Sequence, residues 1–351
     1  MELENNFNLE RFNPDVLREY DIRGIVNKDL TVNTAYSIGR TFGHIVCSKF
    51  SEKKIATGYD GRLTSPSLHN ALCAGLLESG ANVFSIGLCP TPMAYFAHYH
   101  LKTDAAVMVT GSHNPPEYNG FKMVLNKHSF FADEIQNLQL LTTLKNISTG
   151  QGTLNNIDIR NEYVKNNLKN IKFNKKMKIA WDIANGSMGT VIDSFTNQLS
   201  SAEHIVINKE VDGTFPNHHP DPTVPKNMEQ LIKTVVSNSC DIGLGFDGDG
   251  DRLGVVDNKG NIIWADQYML LLAKEISNLY ENPKIIMDVK SSKVFFDEVK
   301  KFNCEPIMFK TGHSPIKEKM KEVKSPLSGE MSGHICYGDD FFGYDDAMYV
   351  G

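Results

Sequence analysis

At 351 residues the chain is too long for one ordinary core, since domains average about 150 residues, and two or three are expected. Lys and Arg number 36 against 42 Asp and Glu, a formal charge of −6, which argues against a nucleic-acid or anionic-membrane binder held by bulk charge. Hydrophobic residues at 41% and charged residues at 22% exclude the disordered and low-complexity classes.

The first dozen residues carry acidic groups and no apolar run, unlike a secretory or mitochondrial address. The apolar stretch Tyr268–Ala273 is far short of a membrane span. A cytoplasmic protein with no membrane partner is therefore expected. Six cysteines, Cys47, Cys73, Cys89, Cys240, Cys304 and Cys336, are scattered without a Cys-x-x-Cys pair, so neither a disulfide framework nor a zinc site is predicted. Oligomeric state is not legible.

In chain order, Lys54–Asp60 is a short apolar run ending in Asp, the pattern of a buried parallel strand entering a βα turn. Ala81–Ile86 follows as a second strand and Ala105–Thr110 as a third. The Asn, Gly, Ser and Thr of residues 146–156 mark a linker. The series then repeats, with Lys178–Asp182, His204–Asn208 and Asp241–Phe246, and again with Lys284–Asp288, Pro306–Phe309 and Pro326–Ser328. A repeated unit used three times predicts an α/β fold of three consecutive similar domains, 1–155, 156–258 and 259–351, with mixed, largely parallel sheets around a central cleft.

Each third strand runs into a polar or glycine-rich loop, where ligands of parallel sheets gather. Thr110-Gly-Ser-His-Asn-Pro-Pro116 displays Ser112 ahead of two prolines that stop a helix. Ser112 beside His113 suggests a nucleophile and base, although adjacent side chains usually point apart; a plain surface turn is the alternative. Asp247-Gly-Asp-Gly-Asp251 sets three carboxylates at alternate positions, the ligand class of magnesium or calcium. An EF-hand is excluded by Arg252 and Asn258 at its sixth and twelfth positions. A dinucleotide fingerprint at Gly243–Gly248 is disfavoured by acidic crowding, leaving a solvated acidic turn as the competitor. Gly329-Glu-Met-Ser-Gly-His334 offers Glu330 and Ser332, able to face one way in an extended loop and to suit vicinal sugar hydroxyls. His218-His-Pro-Asp221 looks like a metal patch but reads better as a structured loop.

Tyr20-Asp-Ile-Arg-Gly24, Thr110–Lys122, Phe215–Pro222, Gly245–Arg252, Lys310–His313 and Gly329–His334 together resemble the α-D-phosphohexomutases, in the phosphomannomutase/phosphoglucomutase branch, in the family's order over almost the whole chain. The resemblance implies that Ser112 is the phosphoserine and that Asp247, Asp249 and Asp251 bind Mg²⁺ with a phosphoserine oxygen. It implies that Arg252 and His113 contact that phosphate and that Arg23 and Lys122 assist proton transfer or charge neutralisation. Glu330 and Ser332 would hold sugar hydroxyls, with Lys290 and His313 nearby and Tyr20 on the cleft wall. The implied activity interconverts hexose 1- and 6-phosphates, of mannose or glucose, through a 1,6-bisphosphate that also serves as activator.

Members of the family carry a fourth, C-terminal domain that grips the phosphate not being transferred, and this sequence stops at Gly351 with no Arg after Arg252. A phosphate-binding domain is thus absent from the expected architecture, and impaired turnover is expected. The alternative is a non-catalytic or phosphatase-like sugar-phosphate binder.

Overall fold

The computed structural model describes residues 7–169, 171, 175–339 and 341–351; Met1 to Asn6, part of the segment read as lacking an address, lie outside the described residues. These pack as two compact units, one formed by residues up to Asn161 together with Asp212–Thr214, the other by Glu162–Val211 and Phe215–Gly351.

In the first unit the strands are β1 (Ile22–Ile25), β2 (Lys54–Tyr59), β3 (Asn82–Leu88), β4 (Ala105–Val109), β5 (Tyr118–Leu125), β6 (His128–Ser129) and β7 (Leu154–Asn156). They form one sheet in the order β1-β5-β4-β2-β3-β7, with β6 on β5. β4, β2, β3 and β7 run parallel, while β5 returns antiparallel beside β4. All five residues of β4 are buried, as a parallel strand covered on both faces requires. Helix α2 (Ser65–Glu78) packs on this sheet and helix α1 (Val32–Lys49) packs on α2. Thr31 and Thr34 cap the start of α1 reciprocally, satisfying amides that have no partner within the helix. Ile38, Phe42, Leu68, Leu72, Val83 and Val107 belong to the core between them.

The second unit holds two sheets. One contains β8 (Met177–Asp182), β9 (Ala202–Ile207), β10 (Ile242–Phe246), β11 (Leu253–Asp257) and β12 (Ile262–Ile263), ordered β12-β11-β10-β8-β9. The other contains β13 (Lys284–Asp288), β14 (Glu305–Phe309), β15 (Leu327–Gly329) and β16 (Ile335–Tyr337), ordered β14-β13-β15-β16. Leu231, Val235 and Val256 centre one core and Ile286, Ile316 and Met320 the other.

The three sheets share one connectivity. A first strand lies between a second and a third, all parallel, and the third turns back antiparallel into a hairpin: β4–β5, β10–β11 and β15–β16. The fold is thus three α/β units with mixed sheets. Each candidate loop, at Ser112, Asp247–Asp251 and Glu330–His334, occupies the turn of such a hairpin. No helix among the described residues is long and apolar enough to cross a membrane.

Candidate active site

The serine loop is held from behind. Ser112 is buried and its φ is 49°, the left-handed region that side chains other than glycine seldom occupy. Its amide donates to Thr110 Oγ1 at 2.8 Å. That hydroxyl donates in turn to Asp60 Oδ2 at 2.8 Å, and the Gly111 amide reaches the same oxygen at 3.1 Å. Asp60 also accepts from Ser65 Oγ at 2.5 Å and pairs with Arg62. Gly111 is required here, because a Cβ would stand 2.3 Å from Arg62 Nε.

Contrary to the expectation that neighbours diverge, Ser112 Oγ and His113 Nδ1 lie 3.2 Å apart; the left-handed turn at Ser112 swings the two side chains to one side. Arg23, on β1, brings Nη1 to Asn114 Oδ1 of the loop at 2.5 Å and its other amino group to Asp21. Tyr20, half-buried, precedes that aspartate, and Lys122 lies buried on β5.

The acidic loop is fully enclosed. Asp247, Asp249 and Asp251 are each 0% exposed, and one oxygen from each comes within 4.8 Å of the others. This overturns the solvated-turn alternative, since gathering buried like charges is costly without a counter-charge. Asp247 Oδ1 accepts from the amides of Gly250, Asp251 and Arg252 at 3.0–3.1 Å, so the loop curls around one carboxylate. The loop after β8 supports it, with Ser187 N donating to Gly248 O at 3.0 Å. Three buried carboxylates form a hard oxygen donor set that fits a divalent cation such as Mg²⁺ or Ca²⁺.

Arg252 leads from this loop to the third hairpin: its Nε donates to His334 Nε2 at 3.0 Å. His334 Nδ1 is 2.8 Å from Asp345 Oδ2, and the ring stacks on His313 with centroids 5.2 Å apart. Lys317 Nζ pairs with Asp345 Oδ1 at 2.9 Å. Burial alone favours a neutral amine, but the charge and hydrogen bond of Asp345 outweigh it and hold Lys317 above its ordinary value. Burial likewise opposes the Asp345 charge, yet Lys317 and His334 hold that carboxyl well below the usual range. Asp251, His334 and Asp345 also cluster within 4.8 Å, but Lys317 already compensates Asp345, so this group reads as an ion-pair network.

The Glu330–His334 segment is turned rather than extended. Gly333 N donates to Glu330 O at 3.0 Å, and Gly333, at φ 91°, lies so close to β11 that a Cβ would meet Leu253 O at 2.7 Å. Glu330 is buried, accepts from Gly312 N at 2.6 Å, and burial raises its pKa; Ser332 is half-buried and Lys290 exposed. His218 bonds Asp182 Oδ2 at 3.0 Å, bearing out the structured-loop reading.

Sequence reasoning missed the braces. The aspartates ending the first strands, Asp60 and Asp288, accept backbone amides of the site loops, Gly111 N at 3.1 Å and Met331 N at 3.0 Å. Their recurrence at strand ends was visible in the sequence, and that was the signal available. His334 was quoted within its motif without a role.

Comparison with known proteins agrees with this arrangement. Models described as phosphoglucomutase/phosphomannomutase, alpha/beta/alpha domains I, II and III match residues 15–148, 161–260 and 264–351. The chain is similar to the phosphomannomutase/phosphoglucomutase of Pseudomonas aeruginosa, 42% identical over 334 residues, covering 95% of this chain and 72% of that one. It is also similar to the phosphoglucomutase of Neisseria meningitidis, 43% identical over 342 residues, covering 96% and 73%. A solved phosphoglucomutase/phosphomannomutase family protein from Burkholderia thailandensis superposes with a TM-score of 0.92 at 38% identity, covering 97% of this chain and 76% of the other. The chain belongs to the phosphoglucomutase/phosphomannomutase family.

Proposed function

We propose that this protein interconverts hexose 1-phosphate and hexose 6-phosphate, of mannose and glucose, using Ser112 as the covalent carrier of the phosphoryl group. The observation that carries the reading is that three hairpin turns of equivalent topology bear, in order, an oriented serine, a buried carboxylate triad and a Glu/Ser loop. We assign these to domains spanning 1–155, 156–258 and 259–351.

Phosphoserine gives its phosphoryl to the free hydroxyl of the sugar phosphate: the Ser112 Oγ–P bond breaks, a bond from P to the sugar oxygen forms, and the hydroxyl proton ends on Ser112 Oγ. The resulting 1,6-bisphosphate returns its other phosphoryl by the reverse exchange. His113, 3.2 Å from Ser112 Oγ, is placed to carry the proton. Arg23 and Lys122 offset negative charge at the serine loop, and Arg252 does so at the acidic loop. Asp247, Asp249 and Asp251 would hold Mg²⁺, which supplies charge neutralisation to phosphoryl oxygens when bound. Glu330 and Ser332 bind sugar hydroxyls, with His313, Lys290 and Tyr20 as further contacts. A reducing cytoplasm suits six free cysteines, five of them buried.

The test is Ser112→Ala. Turnover of glucose 1-phosphate and mannose 1-phosphate should vanish, because no other group can carry the phosphoryl. Intact-mass analysis after incubation with glucose 1,6-bisphosphate should show a phosphate adduct on the parent alone. Equal turnover by both proteins would refute the assignment.

A further inference from the structure

Arg62 is one of the largest fully enclosed side chains of the protein, and it lies directly behind the serine loop. A guanidinium has five N–H donors, and here every one is directed at a partner. Nε faces Asp60 Oδ2 at 3.2 Å. Nη1 donates to the carbonyls of Pro115 at 2.6 Å and Tyr118 at 3.1 Å. Nη2 donates to the carbonyls of Ser112 and Asn114, both at 2.6 Å.

Three carbonyls of one loop and a fourth at the start of β5 therefore converge on a single cation whose charge Asp60 balances. The Ser112 carbonyl is buried together with the guanidinium and would otherwise be unsatisfied away from water. The residue whose carbonyl makes one of the two 2.6 Å bonds to Nη2 is also the one with φ of 49°, a conformation that persists only where its surroundings impose it. Asp60 grips the amide side of the same segment through Gly111 N and Thr110 Oγ1. The pair thus fixes both the amide and the carbonyl flank of Ser112.

We infer that Arg62 is a positioning residue for phosphoryl transfer: its fork holds Ser112 in the left-handed conformation that aims Oγ, and the fit of Gly111 against the guanidinium is part of the same device. The inference rests on the reading of Ser112 as the phosphoryl carrier. Lysine cannot substitute, because a point charge with three donors cannot span four carbonyls and a carboxylate.

The experiment compares the parent with Arg62→Lys and Gly111→Ala, the second leaving the guanidinium in the chain but placing a methyl group against it. Single-turnover loading of phosphate from glucose 1,6-bisphosphate onto Ser112 is followed by quench and intact mass, giving a rate constant independent of the folded fraction. Both variants should load at least about tenfold more slowly and show a matching fall in kcat, with KM for glucose 1-phosphate within about threefold of the parent. A loading rate within twofold of the parent in either folded variant overturns the inference, as does a change confined to KM. If neither variant folds, Arg62 is a folding residue and the inference is overturned as well. Ser112→Ala serves as the control: uptake of phosphate by that variant defeats the reading of Ser112 itself, whereas no uptake by it and normal loading by Arg62→Lys defeats only the role given to Arg62.

Discussion

Arg252 Nε donates to His334 Nε2 across 3.0 Å, and the other nitrogen of the same ring, Nδ1, lies 2.8 Å from Asp345 Oδ2. The acidic loop and the Glu330–His334 loop are thereby joined through one ring. His334→Ala removes the acceptor from Arg252 and one partner from a buried carboxylate. Lost partners of buried polar groups cost about 1–3 kcal/mol each, so urea unfolding should show destabilisation of that order. Turnover should fall by at least about tenfold as Arg252 loses its fixed direction, and steady-state kinetics check it.

Asp249→Asn takes one anionic oxygen from the buried triad while keeping its shape. Activity should then need a higher Mg²⁺ concentration, and maximal turnover should drop, since a hard cation prefers charged oxygen donors. A metal titration of activity, with circular dichroism to show an intact fold, measures both. An unchanged metal requirement would remove the triad from the mechanism.

Glu330→Ala and Ser332→Ala should weaken binding of glucose and mannose phosphates alike, with little effect on the Mg²⁺ requirement. Each neutral hydrogen bond is worth about 0.5–1.5 kcal/mol and a charged one about 1.5–3 kcal/mol, so the Glu330 variant should lose more. Glu330 also supports Gly312 N, and Glu330→Gln, which retains an acceptor, separates that support from the charge. Isothermal titration with each sugar phosphate gives the affinities.

Asp346 caps the helix Ala347–Val350 and accepts from Tyr163 Oη at 3.0 Å. Burial pushes its carboxyl up to about 7, above the roughly 3.9 of an unfolded chain. The folded state then binds the proton more tightly than the unfolded state does. The contribution to stability is full below about pH 4, declines as pH rises towards 7, and is flat above that. Asp346→Asn retains a capping oxygen but cannot ionise. Melting temperatures between about pH 5 and 8 should fall more steeply for the parent than for the variant; parallel profiles would refute the assignment.

The central strands were legible because β-branched and aliphatic runs such as Ile285-Ile-Met-Asp288 are bounded by charge and turn residues, and burial on both faces demands that pattern. The return strands were not. Tyr118–Leu125 alternates Lys, Asn and Gly with apolar residues, and what makes it a strand is pairing with Ala105–Val109, a tertiary fact. The same holds at the site. Ser112 and the three aspartates stand out in local sequence, whereas the Asp60–Arg62 brace acts over some fifty residues and the Arg252–His334 bond over 82, separations that no local pattern encodes. The approach of Ser112 to His113 was left open by the sequence because a left-handed serine cannot be read from residue type.

Placing each functional loop at the turn of an appended hairpin has an evolutionary consequence. The parallel strands that carry the cores end before the loops begin, so a turn can change at positions outside its braces without repacking the sheet beneath it. On the function proposed above, sugar choice would lie in the turn between Gly329 and Ile335, apart from the turns that bear Ser112 and the three aspartates. Diversification in such a scaffold is expected to concentrate in the third turn, with the first two acting as a fixed engine.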